Sequence, residues 1–329
     1  MPTENRLKKR ILAFASVIVS VGLVWWLLAR IDMARTRELI GKAHGGWLLL
    51  AAAFTCCLPF LAALRWLGVV RAQPGVRLPF GVAIRAVMMA NAFNSFLPSK
   101  AGDMAKAVYL RRHANLSTGV GTVVLERLVD LAVLGVLGIG GAVISGTKWG
   151  LLADLLLLGA VVSAFLFICF IPAGPAGPAG PAGVAGTAKL RLPLPGKLAR
   201  AMNEGASVFH AWLRAPAAIA TTCAASFVHW SLNGLIVCSL ISALGCRLEK
   251  WGYAYSVYPL ALLMGLVPVT IGGIGTRDAA FVALLAAASL SREEATLVSL
   301  GYTVFAYWLL SLISLPLAVW EMLRLRKDR

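Results

Sequence analysis

Residues Gly119–Ile144 read GVGTVVLERLVDLAVLGVLGIGGAVI. The stretch is longer than the roughly 20 residues a helix needs to cross a bilayer. Hydrocarbon offers no water to the backbone N–H and C=O groups, so a run of this kind must be a helix. Its first third nonetheless carries Glu126, Arg127 and Asp130. Each such charge costs about 2.5–3.5 kcal/mol at a helix centre on insertion scales, and a helix accepts it only with partners or a watery cavity. Long apolar spans punctuated by a few deliberate charges set the fold class: an all-α integral membrane protein.

The same pattern extends along the 329 residues. Of these, 59% are hydrophobic and 14% charged, and mean hydropathy is +0.81; a soluble domain carries nearer a quarter charged. The short alternating segments of a transmembrane β-barrel are not visible. Net charge is +17, which in a soluble chain would suggest nucleic acid. Here the basic residues sit at span ends and in loops, which predicts contact with anionic lipid headgroups and no nucleic-acid partner. Six cysteines, Cys56, Cys57, Cys169, Cys223, Cys238 and Cys246, fall mostly in apolar runs without CxxC or Cys/His metal spacing, so they read as packing residues. Neither a metal nor another cofactor is expected.

Toward the N-terminus, Trp47–Leu67 is a second span with Trp47 and Trp66 as interfacial anchors. Ile11–Ala29 follows the basic run Arg6–Arg10. It is longer than a signal-peptide core and ends at Arg30 without a small-x-small site, so it reads as an uncleaved first span. Toward the C-terminus come Leu151–Ile171, Ile219–Leu244 and Leu297–Leu323. Two segments are too short for simple crossings, and the first is polar as well. Phe80–Leu97 holds Arg85, Asn91, Asn94 and Ser95 and is broken by Pro98; Tyr253–Val267 is broken by Pro268-Val-Thr-Ile-Gly-Gly-Ile-Gly275. Charge counting favours a re-entrant pair for the first, and the second reads as a matching broken pair, one entering from the cytoplasm and one from outside. The prediction is six full crossings plus two broken pairs, an arrangement of inverted-repeat transporters with the substrate site between the breaks. A plain eight-span count is the alternative, and both counts place the N- and C-termini in the cytoplasm. The whole of 1–329 reads as one transmembrane domain. Within it, 173–215 forms a cytoplasmic linker with the GPA run Gly174–Gly183 and a short amphipathic surface helix, Leu198–Leu213.

Three clusters carry candidate chemistry. Glu126 and Asp130 are spaced i,i+4 and share a helix face. They read either as the wall of a polar cavity in which Arg127 meets an anionic ligand, or as a salt-bridge lock to Lys100, Lys106 or Arg277, and the two readings are compatible. Gly272-Gly273-Ile274-Gly275-Thr276-Arg277-Asp278 permits an unusual backbone path, and a helix starting at Thr276 would aim N–H groups into the break. Arg277 adds a forked donor suited to phosphate; a simple tight turn is the plainer reading. Asn91, Asn94, Lys100, Asp103 and Lys106 form the matching cluster in the first half, with interhelical hydrogen bonding as the plainer reading of the asparagines. His229 reads as a packing residue or an interhelical hydrogen-bonding partner. No residue is assigned a catalytic role.

The strings NAFNSFLPSKAGDMAKAVYLRR (91–112), ERLVDL (126–131) and GGIGTRDAA (272–280) together resemble the flippase-like family named for the transmembrane region of lysylphosphatidylglycerol synthase. The resemblance covers nearly the whole chain. Asn94, Pro98, Lys100, Gly102 and Asp103 match the first motif, Glu126, Arg127 and Asp130 the second, and Gly272, Gly273, Gly275, Arg277 and Asp278 the third. Lys100 stands where arginine is common and Asp278 where glutamate is common. The sequence stops six residues after Leu323 without the soluble aminoacyl-transfer domain of full-length synthases. The resemblance therefore implies lipid binding or translocation, not aminoacyl transfer, in a bacterial inner membrane. The expected ligand is a membrane phospholipid or a polyprenyl-linked glycan. A membrane-embedded glycosyl or headgroup transferase is the alternative. So is an accessory subunit partnering a lipid-modifying enzyme through residues 174–213.

Overall fold

The computed structural model describes residues 16–94, 97, 101–111, 113–171, 196–246, 252–266, 269–270 and 272–327. Lys100, Ser95, Pro98 and the GPA run lie outside them. Among the described residues the chain is helical with no strand. Five helices are long and apolar enough to cross a membrane: α3 (Gly45–Arg71), α6 (Leu116–Ser145), α7 (Lys148–Phe170), α9 (Pro216–Ala243) and the run Arg292–Arg324. That last run comprises α12 (Arg292–Thr303), a π-helical turn (Val304–Leu309) and α13 (Leu310–Lys327). A bent pair, α1 (Ser16–Leu28) and α2 (Met33–Gly41), turns by 86° and makes a sixth candidate span when counted as one broken helix. The mixed-charge segment after the first span is therefore partly helix. Asp32 caps α2, its carboxylate accepting from the Ala34 amide at 2.8 Å.

Two helical hairpins complete the bundle. The first is α4 (Phe80–Asn94), a 3-10 turn (Ala101–Asp103) and α5 (Met104–Leu110). At 15 residues, α4 is roughly 22 Å long, short of the roughly 30 Å of hydrocarbon. Its start and the end of α5 lie together: Val76, Leu78, Ala83 and Leu110 share one buried cluster with Trp66 and Val70 at the end of α3. The hairpin thus enters and leaves at the same end of the bundle. The second is α10 (Gly252–Met264) and α11 (Thr276–Ala286). Tyr253 at its start donates to the Leu284 carbonyl near its finish at 2.9 Å, so this hairpin also returns to its own end. That end is the opposite one. Gly252 packs on Gly141 and Ile144 late in α6, where the His44 amide before α3 also meets the Ala243 carbonyl closing α9 at 2.7 Å.

The order span, hairpin, span therefore occurs twice in opposite directions: α3, α4–α5, α6 and then α9, α10–α11, α12–α13. The hairpin tips meet in the middle, where a β-carbon on Gly272 would lie 3.3 Å from the Asn94 carbonyl oxygen. Missing side chains let the elements approach this closely. A β-carbon at Gly102 would fall 2.6 Å from the Ala90 carbonyl oxygen and 2.6 Å from the Asn94 nitrogen. At Gly141 it would fall 2.5 Å from the Gly252 carbonyl oxygen and 2.5 Å from the Ser256 nitrogen.

One expectation is corrected. The amphipathic helix exists, as α8 (Gly196–Leu213), but its apolar face does not lie in lipid. Val208, Phe209 and Trp212 are buried against Val69, Leu125 and Val129. Gly121 on α6 leaves the gap, for a β-carbon there would sit 3.0 Å from the Val208 side chain. The helix's apolar stripe finds protein before it finds membrane.

Candidate functional site

The i,i+4 spacing of Glu126 and Asp130 places both carboxylates on the inward face of α6, fully buried. Cations from α3, α5 and α6 itself answer them. Arg65 of α3 reaches Glu126 Oε1 through Nε at 2.8 Å and Asp130 Oδ1 through Nη1 at 2.9 Å. Lys106 of α5 donates to Glu126 Oε2 at 2.6 Å and stands 3.8 Å from Asp103. Arg127 runs from Asp103 Oδ2 (3.4 Å) to Asp130 Oδ2 (3.2 Å). Ser226 and Trp230 of α9 donate to Asp130 Oδ1 at 3.2 and 2.9 Å, and Asn94 donates to Asp103 Oδ1 at 3.1 Å. Among the described residues three cations thus face three carboxylates, and the cluster is neutral. Burial of that much charge is tolerable because each member has a partner.

A cavity of about 80 Å³ opens above this cluster, between the first hairpin, α3, α9 and the π-helical turn. Asn91, Asn94, Asp103, Lys106 and Arg127 line it, and Glu126 and Asp130 lie in the network beneath. Arg127 is the cation with surface to spare: its side chain is 26% exposed, against 3% for Arg65 and 2% for Lys106. His229, Trp230, Asn233, Tyr302 and Tyr307 form the opposite wall. Tyr302 donates to Asn233 Oδ1 at 2.8 Å. The π-helical turn brings Ala306 and Tyr307 to the cavity, and the start of α13 brings Leu310 and Ser311. Such a wide turn commonly marks a functional position in a helix.

Arg277 and Asp278 do not line this cavity. Both are fully buried in a second knot. Arg277 Nη2 bonds Thr303 Oγ1 and stands 3.3 Å from Asp278 Oδ1. Its guanidinium lies over the Tyr307 ring, 4.1 Å from the centroid. Asp278 accepts from Ser299 and Thr303, both at 2.8 Å, and from the Gly275 amide at 2.9 Å. The helix end expected to offer free N–H groups is therefore partly capped by its own Asp278. The glycines are needed for the backbone path: Gly272, Gly273 and Gly275 have φ of +58°, +77° and +99°. Tyr307 connects the two sites, with its ring under Arg277 and its side chain on the cavity wall.

The salt-bridge reading of Glu126 and Asp130 is met by Lys106, not by Arg277. The main partner, Arg65, is one the sequence reading passed over. A signal was available: Arg65 is a lone cation inside the run Trp47–Leu67, and charges there demand partners. Trp230, Tyr302 and Tyr307 gave no such signal, because aromatics are ordinary in membrane helices. Among the described residues no group of three or more His, Cys, Asp or Glu is placed to hold a metal ion.

Comparison with known proteins supports a multi-pass membrane protein. A UPF0104 membrane protein of Methanocaldococcus jannaschii is 25% identical over 228 residues, 65% of this chain and 88% of that protein. A UPF0104 membrane protein of Methanothermobacter thermautotrophicus is 22% identical over 314 residues, 90% of this chain and 91% of that one. Residues 13–314 match the family described as the lysylphosphatidylglycerol synthase TM region. The chain is a multi-pass membrane protein and belongs to that family.

Proposed function

We propose that this protein carries a phosphate-bearing lipid, or a polyprenyl-linked glycan, across the membrane by passing its headgroup through the cavity between the hairpins. The observation that carries the reading is Arg127, a partly exposed guanidinium facing a cavity at the meeting point of two hairpins inserted from opposite ends. Guanidinium groups bind phosphate through paired hydrogen bonds. At about 80 Å³ the cavity is too small for a lipid headgroup, so the described arrangement is a closed one and transport requires the hairpins to part. Opposed repeats rocking about a central site provide such a motion. Around Val129, next to Asp130 in sequence, a wholly apolar groove of about 460 Å³ between α6, α7, α8 and α9 offers room for an acyl chain.

Orientation follows from charge. The end holding the start of α4 and the finish of α13 carries Arg71, Arg77, Arg85, Arg111, Arg214 and Arg324 with Glu204 and Glu321, whereas the other end carries Arg30, Arg35, Arg37, Lys42, Lys148 and Arg292 with Asp32, Glu38, Glu293 and Glu294. The net excess of basic residues at the first end supports reading it as the cytoplasmic one.

The test is lipid movement in proteoliposomes, followed with headgroup-labelled phospholipids. Wild type accelerates exchange between leaflets and Arg127→Ala does not. Equal rates in wild type, Arg127→Ala and empty vesicles would refute transport. Appearance of a chemically altered lipid would instead favour a transferase.

A further inference from the structure

Away from the cavity, one carboxyl is buried in a different way. Asp154 on α7 is fully buried, and neither of its oxygens has a hydrogen-bond partner among the described residues. The acids around the cavity and in the second knot, Asp103, Glu126, Asp130 and Asp278, each face a cation. Asp154 occupies a niche left by Gly138 of α6, where a β-carbon would collide with its carboxyl carbon and both oxygens. Gly135 lets α7 close in as well, with a β-carbon there 3.3 Å from Leu158 Cβ. From α10, Ser256 Oγ is buried with no partner among the described residues. Tyr258, the α10 phenol within electrostatic reach, gives its hydroxyl to the Trp230 carbonyl at 2.7 Å. Helix α8 reaches α7 about three turns further along, through Phe209 on Phe165, and brings no charge to Asp154.

An unpaired carboxylate so placed would be a bare charge in low dielectric, which is costly. Asparagine or serine would fill the niche without that constraint, and an ionisable side chain at membrane depth is a functional candidate. Helix α7 is also the span least embedded in the protein, with 11% of its apolar window buried against 61% for α9.

We propose that Asp154 is a proton-binding site. The contact among α6, α7 and α10 holds the carboxyl protonated. When it opens to water on one side, the O–H bond breaks, the proton passes to water, and a carboxylate remains. Water on the other side returns a proton before α7 closes. No other bond changes. Such a cycle presupposes the lipid-transport reading above, because proton release does work only if the hairpins move.

Dicyclohexylcarbodiimide, which attacks protonated carboxyls in apolar surroundings, is the direct probe. Peptide mass spectrometry should find the label on Asp154, falling as pH rises, and absent from Asp154→Asn. In proteoliposomes an imposed pH gradient should accelerate lipid movement by wild type. Asp154→Asn should lose that response while keeping the lipid bound at purification. An unlabelled Asp154, labelling indifferent to pH, or a full gradient response in Asp154→Asn would overturn the proposal. If wild type moves no lipid at all, the transport reading falls and the coupling with it; pH-dependent labelling then still decides whether Asp154 binds a proton.

Discussion

Arg65 closes on Glu126 through two guanidinium nitrogens, Nε and Nη2, each 2.8 Å from the same oxygen, Oε1. The two residues come from α3 and α6, so this contact fixes the spans that flank the first hairpin. Arg127, next to Glu126 in sequence, bridges Asp103 and Asp130 and faces the cavity.

Arg65→Ala should therefore be a stability variant. It leaves Glu126 with Lys106 and the weaker contact to Arg127, and strips Asp130 of its closest cation. Removing one partner from a buried pair costs about 3–5 kcal/mol. Thermal unfolding in detergent should show the loss, together with reduced accumulation in the membrane. Arg65→Lys should recover only part of it, because an ammonium cannot serve both acids with the geometry of a fork.

Arg127→Ala should separate binding from folding. The side chain is partly exposed, and its three acidic neighbours keep other partners. Its unfolding temperature should fall less than that of Arg65→Ala, while lipid movement is lost.

Arg277→Ala should behave like Arg65→Ala. The guanidinium is fully buried between Asp278, Thr303 and Tyr307. Thr303→Val tests the same knot more gently. It deletes one hydroxyl that serves both Arg277 and Asp278, a loss of about 1–3 kcal/mol for groups left short of a partner. The unfolding temperature should drop while the class of bound lipid stays unchanged. A change of lipid class in Thr303→Val would bring Arg277 into the binding site.

Gly102→Ala should splay the first hairpin. The added carbon meets backbone atoms of Ala90 and Asn94, which have no rotamer to give. Overpacking of this kind costs about 1–3 kcal/mol. A cysteine placed at Met104 should become more reactive to a water-soluble thiol reagent in the variant than in the Gly102 background.

The spans were legible because apolar length has one solution in a bilayer. The two hairpins were legible from the short runs broken at Pro98 and Pro268, since fifteen residues of α4 cannot cross. Partner choice was not. Glu126 announces that it needs a cation, but only the packing of α3 on α6 decides that Arg65 and Lys106 supply it and Arg277 does not. Arg277 shows the opposite limit. Its place in a glycine-rich break suggested an open phosphate site, yet Asp278 and the Ser299–Thr303–Tyr307 face of a distant helix close around it. The apolar face of α8 was visible in its periodicity, whereas its burial depended on Gly121 in another span.

The central claim is that a phosphate-bearing lipid is recognised at the cavity through Arg127. Native mass spectrometry of the purified wild type and Arg127→Ala tests it most directly. The account predicts one phosphate-bearing lipid class enriched over the bulk membrane in wild type and lost from the variant. The same bulk-like mixture of lipids retained equally by both would contradict it.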